Sequence, residues 1–201
     1  MDAFFDWNQR VDQTQRHLPH WSQQRVIYFA TFRLADSIPK PILSEWGERK
    51  KSWLAAHPEP HDEETQREHH RQFTWKFHDY LDHGYGDCLL GNAQDSEIVA
   101  AAMRYFDSKR YQLGDWVVMP NHVHVLFQTQ DEWTPKQVLH SWKSYSASRI
   151  NQHRESQGQV WQHESYDRIV RSLSELSRIE HYIRSNPERA GIEVEHASWL
   201  M

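Results

Sequence analysis

Trp116-Val-Val-Met-Pro-Asn-His-Val-His-Val-Leu-Phe127 is the stretch from which the fold is read. Valine, leucine and phenylalanine in short-period alternation predict strands on both sides of Pro120-Asn121, which is turn chemistry. Tyr111 to Met119 forms the first strand and His122 to Thr129 the second, adjacent and antiparallel. Side chains two apart on a strand share a face, so His122 and His124 stand side by side while Val123, Val125 and Phe127 turn to a core. Two imidazoles on one rigid face can ligate one divalent ion. The chain has 15 histidines in 201 residues, so about one His-x-His pair arises by chance at this composition. A metal role needs a third ligand and a group for the metal to serve.

Working outward, Arg25 to Leu34 is a second clear strand, dominated by β-branched and aromatic residues. Ser37 is placed to cap the next helix, with Pro39 and Pro41 in its first turn and Ile42, Leu43, Trp46 and Trp53 at helical spacing. Between Pro58 and Gly86 the composition turns charged and histidine-rich. Its thin apolar stripe of Phe73, Phe77, Tyr80 and Leu81 predicts a polar inserted helix that ends at Gly84 and Gly86. His69 and His70 are neighbours about 100 degrees apart on that helix, which points to solvation rather than to a shared ligand. Asp95 is read as the N-cap of a helix whose Ile98, Val99, Ala102, Met103 and Phe106 form its inner face. A further helix runs from Pro135 to about Arg154 with Val138, Leu139, Trp142 and Ile150 inward. Its Lys143, Arg149 and Arg154 form either an ordinary solvated face or contacts to phosphates. A short strand is expected at Asp167–Arg171. Ser172-x-x-Glu175 is a capping box for a last helix with Leu173, Leu176, Ile179 and Ile183 on its core side, stopped by Pro187 and closed by Gly191. Residues 1–24 read as an arm or short helix.

Length fits one domain spanning residues 1–201, with the 58–86 helix as an insertion. Hydrophobic residues make up only 38%, but ten tryptophans compensate, because each aromatic buries a large area. The single Cys88 excludes an internal disulfide and a cysteine zinc cluster, which fits a reducing cytoplasm. No apolar run reaches membrane-span length, and the N-terminus does not read as a signal peptide. A formal net charge of −5 argues against a non-specific nucleic-acid coat and leaves room for a local basic groove.

The last helix carries Tyr182 and Asn186, four residues apart and so on one face. The Asn186 amide oxygen is a possible hard ligand and the Tyr182 hydroxyl a possible nucleophile. Two neutral imidazoles and an amide add no negative charge to a bound Mg2+ or Mn2+, which would keep the ion electrophilic toward a phosphate oxygen. A tyrosine at a helix edge is also commonly half-buried packing.

Three blocks carry a resemblance: Met-Pro-Asn-His122-Val-His124, then Trp161-Gln-x-x-Ser-Tyr-Asp-Arg-x-Val-Arg171, then Tyr182-Ile-x-x-Asn-Pro-x-x-Ala-Gly191. In this order they resemble the signature blocks of the single-tyrosine HUH transposases, most closely the REP-associated tyrosine transposases of bacteria, over about residues 20 to 200. The resemblance implies an α+β, ferredoxin-like antiparallel sheet with helices on one face, plus the inserted helix and a C-terminal catalytic helix. It implies that His122, His124 and Asn186 hold Mg2+ or Mn2+. Tyr182 would attack single-stranded DNA to give a 5'-phosphotyrosine link and a free 3'-OH. Imperfect DNA hairpins, such as repetitive extragenic palindromes, are the implied partner, with Lys143, Arg149, Arg154, Arg168 and Arg171 as DNA-binding residues. Either a monomer or a homodimer, in the cytoplasm at the nucleoid, is compatible with it. Tyr145 and Tyr166 are rival tyrosines that lack a ligand one turn away. Two other functions compete: a non-catalytic hairpin-binding module on the same sheet, and a rolling-circle-type replication initiator.

Overall fold

The computed structural model describes residues 4–6, 11–15, 19–58, 62–130, 132–189 and 196–197. The elements in order are β1 (Asp12–Gln15), β2 (Pro19–Ser22), β3 (Ile27–Arg33), α1 (Lys40–Ala56), α2 (Glu63–His69), a π-helical stretch (His70–Trp75) and α3 (Lys76–Asp82). There follow α4 (Ala93–Arg104), β4 (Tyr111–Met119), β5 (His122–Thr129), α5 (Pro135–His153), β6 (Tyr166–Ile169), α6 (Leu173–Arg189) and β7 (His196–Ala197).

The main sheet has the order β6-β3-β5-β4-β7, with every pairing antiparallel. Its central part, β3-α4-β4-β5-α5-β6 with two helical crossovers, is the ferredoxin-like arrangement. The β4–β5 hairpin falls at the residues that alternation indicates, because a half-buried strand must alternate its faces and a Pro-Asn step is suited to the reversal. One sheet face packs on α4 and α5: Val99, Met103, Val138, Leu139 and Ile150 meet Tyr28, Ala30, Phe32, Val125 and Phe127. The other face packs on α6, where Leu176, Ile179 and Ile183 meet Ile27, Phe29, Val117 and Leu126. His122 and His124 therefore lie on the α6 face. Among the described residues, no helix is long and apolar enough to cross a membrane.

Trp142 keys α5 to the sheet. It is 1% exposed, its indole N–H donates to the Tyr111 hydroxyl at 2.8 Å, and its ring lies against Phe127 and Phe32. Trp142→Ala is expected to cost about 3–5 kcal/mol through lost burial and a cavity. That corresponds to a fall in Tm of roughly 6–20 °C at this chain length, measured by thermal denaturation.

Several local expectations are corrected. Residues 12–15 and 19–22 pair as a two-stranded antiparallel ladder, Asp12 opposite Ser22, rather than a short helix; Thr14 and Trp21 suit strands, and Pro19 sits at a strand start, where a missing N–H is tolerated. Ser37 does not cap α1, whose N-cap is Pro39. Its hydroxyl donates to Leu34 O at 2.8 Å and accepts from Arg33 at 3.0 Å. The N-cap of α4 is Asn92, whose Oδ1 accepts from Gln94 N and Asp95 N. Asp95 points inward instead, fully buried, accepting from Arg154 and His153, and so ties the start of α4 to the end of α5.

Leu173, the first residue of α6, is 67% exposed rather than on the core side. Ser172 Oγ accepts from Glu175 N, but the Glu175 carboxylate accepts from Arg171 N, so the box closes one residue early. Pro187 lies inside α6, which continues to Arg189; so near the C-terminus the proline removes one helical hydrogen bond without ending the last turn. Gly191 lies outside the described residues. Gly84 and Gly86, which follow α3, both stand at positive φ; a Cβ on Gly86 would lie 2.7 Å from the Asp36 carboxylate, so only glycine fits.

Candidate active site

β5 delivers His122 and His124 to one face, both fully buried. Asn121 fixes the first ring. Its Nδ2 donates to Leu81 O and Tyr85 O, each at 3.1 Å, so its Oδ1 must face His122 and can only accept. At 2.7 Å that oxygen holds the proton on His122 Nδ1 and leaves Nε2 as a lone pair turned toward His124. Thr31, paired with His124 across the β3–β5 ladder, holds His124 Nδ1 at 2.8 Å. Both imidazoles are thus anchored through Nδ1 and converge through Nε2. The two Nε2 atoms are 3.0 Å apart, the separation of two adjacent nitrogen donors about 2.1 Å from one ion at near-right angles.

Asp82, at the end of α3, brings a carboxylate oxygen 3.6 Å from His122 Nε2. Asp82, His122 and His124 form a group that could hold a divalent metal ion. Asn186 is 1% exposed; its Nδ2 lies 3.4 Å from Asp82 Oδ1, and its Oδ1 has no hydrogen-bond partner among the described residues. A buried amide oxygen left without a donor is costly, and it adds one more neutral acceptor beside the triad. The donor set of two imidazoles, one carboxylate and one amide oxygen fits a divalent cation of intermediate hardness.

Tyr182 is 7% exposed, one turn before Asn186 on α6, and its hydroxyl is 3.1 Å from His124 Nε2. Its ring is stacked on His78 at 5.9 Å and 20°, and His78 Nε2 is 3.4 Å from Thr31 Oγ1. Tyr145 is 54% exposed on α5, on the far side of the sheet. Tyr166 is near the cluster, packed edge-on to His78 at 5.6 Å. Of these three tyrosines, Tyr182 is the one with its hydroxyl within hydrogen-bond distance of His124 Nε2.

Burial sets the electrostatics. It pushes His122 down to about 3, with His78 adding to the effect, and pushes His78 down to about 3, with the Arg168 charge adding. His124 falls well below its ordinary value for the same reason, helped by His122 and His78. All three rings are neutral near pH 7, the form that can ligate a cation. In the unfolded chain a histidine takes its proton near pH 6.5. The unfolded state therefore gains protons first as pH falls. This contribution to stability is complete above about 6.5 and is lost progressively toward pH 3. Melting temperature is expected to drop across that window, and His78→Phe, which cannot charge, should make the drop shallower. An unchanged slope in that variant would contradict burial of the neutral ring.

The cations singled out in the sequence each have partners within the fold, and Arg168 lies close enough to Arg171 to lower its pKa beyond the effect of burial. Lys143 Nζ donates to Gln162 O, His163 O and Ser165 Oγ. Arg154 pairs with buried Asp95, and Arg168 with Glu175. Arg149 is exposed and bonded to Gln152, and Arg171 lies 5.8 Å from the Phe5 ring. Sequence reasoning missed Asp82 and His78, which lie four residues apart on a helix whose many charges hide them. It also missed Asn121 and Thr31, whose roles depend on strand register.

A profile of the IS200-like transposases matches residues 85–186, from the end of the insertion to Asn186. That is just over half of the chain. The chain belongs to the IS200-like transposase family. Among solved structures, a REP-associated tyrosine transposase bound to a REP hairpin superposes with a TM-score of 0.52 at 12% identity, over 88% of this chain and 75% of that one. A candidate transposase from Deinococcus radiodurans R1 gives a TM-score of 0.32 at 12% identity, over 86% and 96%. No curated protein sequence matches. The family stretch of this IS200-like transposase holds His122, His124, Tyr182 and Asn186, while His78 and Asp82 precede it.

Proposed function

We propose that this chain nicks and rejoins single-stranded DNA at hairpin-flanked sites through a covalent link to Tyr182, with Mg2+ or Mn2+ held by His122, His124, Asp82 and Asn186. The observation that carries this reading is the Tyr182 hydroxyl 3.1 Å from His124 Nε2, which is itself 3.0 Å from His122 Nε2. A bound cation would polarise a non-bridging phosphate oxygen and offset charge in the transition state. The residues do the rest. Thr31 and Asn121 hold the imidazoles so that no reorganisation is needed when the phosphate arrives. Tyr182 Oη forms a bond to phosphorus as the bond to the 3' oxygen breaks, which gives a 5'-phosphotyrosine and a free 3'-OH. The link is still a phosphodiester, so a later 3'-OH can reverse the step without ATP.

His78 stacks on Tyr182 from α3, the helix whose last residue is Asp82. Hairpin recognition follows the REP-bound relative, whose fold this chain shares. The test is a nicking assay with end-labelled single-stranded hairpins. Cleavage with Mg2+ or Mn2+ that EDTA abolishes is expected. Hairpin binding without cleavage under either metal would favour a binding module instead.

A further inference from the structure

Arg33 ends β3 directly opposite His122 in the β3–β5 ladder. Strand alternation places it on the same sheet face as Thr31 and the histidine pair. It is 8% exposed, yet among the described residues its side chain makes one hydrogen bond, from a guanidinium nitrogen to Ser37 Oγ at 3.0 Å. It forms no ion pair with any described carboxylate, and its other close partner is the Phe77 ring at 5.6 Å. A buried guanidinium without an anion is costly; burial alone pushes Arg33 down to about 10. Positive charge accumulates around it. Burial and the Arg33 charge together push Lys143 down to about 8, and Glu164 is the carboxylate that acts on both Lys143 and Lys50.

We propose that Arg33 binds a backbone phosphate of the DNA strand that enters the His122–His124–Tyr182 cluster. This rests on the proposed DNA-nicking function and adds a binding residue to it. Arginine suits the task, because its planar fork can donate two hydrogen bonds to one phosphate and its charge persists when desolvated. The incoming phosphate supplies the anion that no described carboxylate provides. Lys143 holds the Gln162–Ser165 segment in place through its own donors and adds to the local positive potential.

The test is a methylphosphonate scan. Single-stranded hairpin oligonucleotides are prepared with one phosphate at a time made neutral, and binding is measured for wild type, Arg33→Met and Arg33→Lys. For wild type, one linkage near the cleavage point should be sensitive, losing about 10- to 100-fold in affinity as one charge-assisted contact disappears. Arg33→Met should bind the unmodified strand more weakly by a similar factor, become insensitive at that linkage alone, and show a salt slope smaller by about 0.7. Arg33→Lys should keep the salt slope and recover part of the affinity. Melting temperature separates a binding role from a structural one. Losing a buried, anion-free charge should leave the Tm of Arg33→Met unchanged or higher, whereas a scaffold role lowers it. If Arg33→Met keeps the wild-type pattern of sensitive linkages, the proposal is wrong and the nicking function stands. If wild type binds no single-stranded DNA, both fall together.

Discussion

Tyr182→Phe is expected to lower strand cleavage on the order of 10³-fold or more, and to abolish any covalent protein–DNA species, while the protein stays folded. The ring makes contacts that phenylalanine keeps: the stack on His78 and the edge contact with Phe29 at 6.5 Å. The hydroxyl is hydrogen-bonded to His124 Nε2 at 3.1 Å, a bond whose net value is about 1 kcal/mol. The substitution therefore removes the nucleophilic oxygen at little cost in stability. Hairpin binding should survive, since a buried phenol contributes no charge to phosphate recognition. Gel-based cleavage with a parallel binding titration checks both halves. Retained cleavage in Tyr182→Phe, with loss in Tyr166→Phe, would move the chemistry to the neighbouring ring.

His122→Ala is expected to lose Mn2+ binding by about 100-fold or more, and cleavage with it, because it removes one of two convergent nitrogen donors. Calorimetric titration of Mn2+ into the protein measures the first effect without DNA. The variant also leaves Asn121 Oδ1 without its donor, a penalty of about 1–3 kcal/mol, which a domain of ordinary stability tolerates. Asp82→Asn separates charge from geometry. It keeps an oxygen 3.6 Å from His122 but removes the one negative ligand, so weaker Mn2+ binding with His122 intact would establish that the insertion supplies a ligand. Unchanged Mn2+ affinity in Asp82→Asn would return the site to His122, His124 and Asn186.

The fold was readable where one face of an element is buried and the other is not. Val123, Val125 and Phe127 alternate against His122 and His124, and that alternation placed β5 on its observed residues. Tyr182 and Asn186 were readable as a one-turn pair on one helix. Asp82 and His78 were not, because their helix carries many charges and a thin apolar stripe, and its burial comes from lying over the α6 face of the sheet. Nothing in local periodicity says that a polar helix will cover a site. Arg33 escaped for a similar reason: the end of a strand reads as the point where the chain becomes polar, and only the register with His122 shows what it faces. Asp95 reads as a cap because it is the right residue type just ahead of an apolar stripe. The N-cap is Asn92, three residues earlier, which leaves Asp95 to pair with Arg154.

The most direct measurement is the position of the covalent bond. Wild-type protein is incubated with Mn2+ and a single-stranded hairpin oligonucleotide, then digested with protease and nuclease. The peptide that retains a nucleotide is sequenced by mass spectrometry. The expected result is a 5'-phosphonucleotide on Tyr182, absent when EDTA replaces the metal. A nucleotide on Tyr145 or Tyr166, or strand cleavage with no nucleotide on any tyrosine, would contradict Tyr182 as the nucleophile of this transposase.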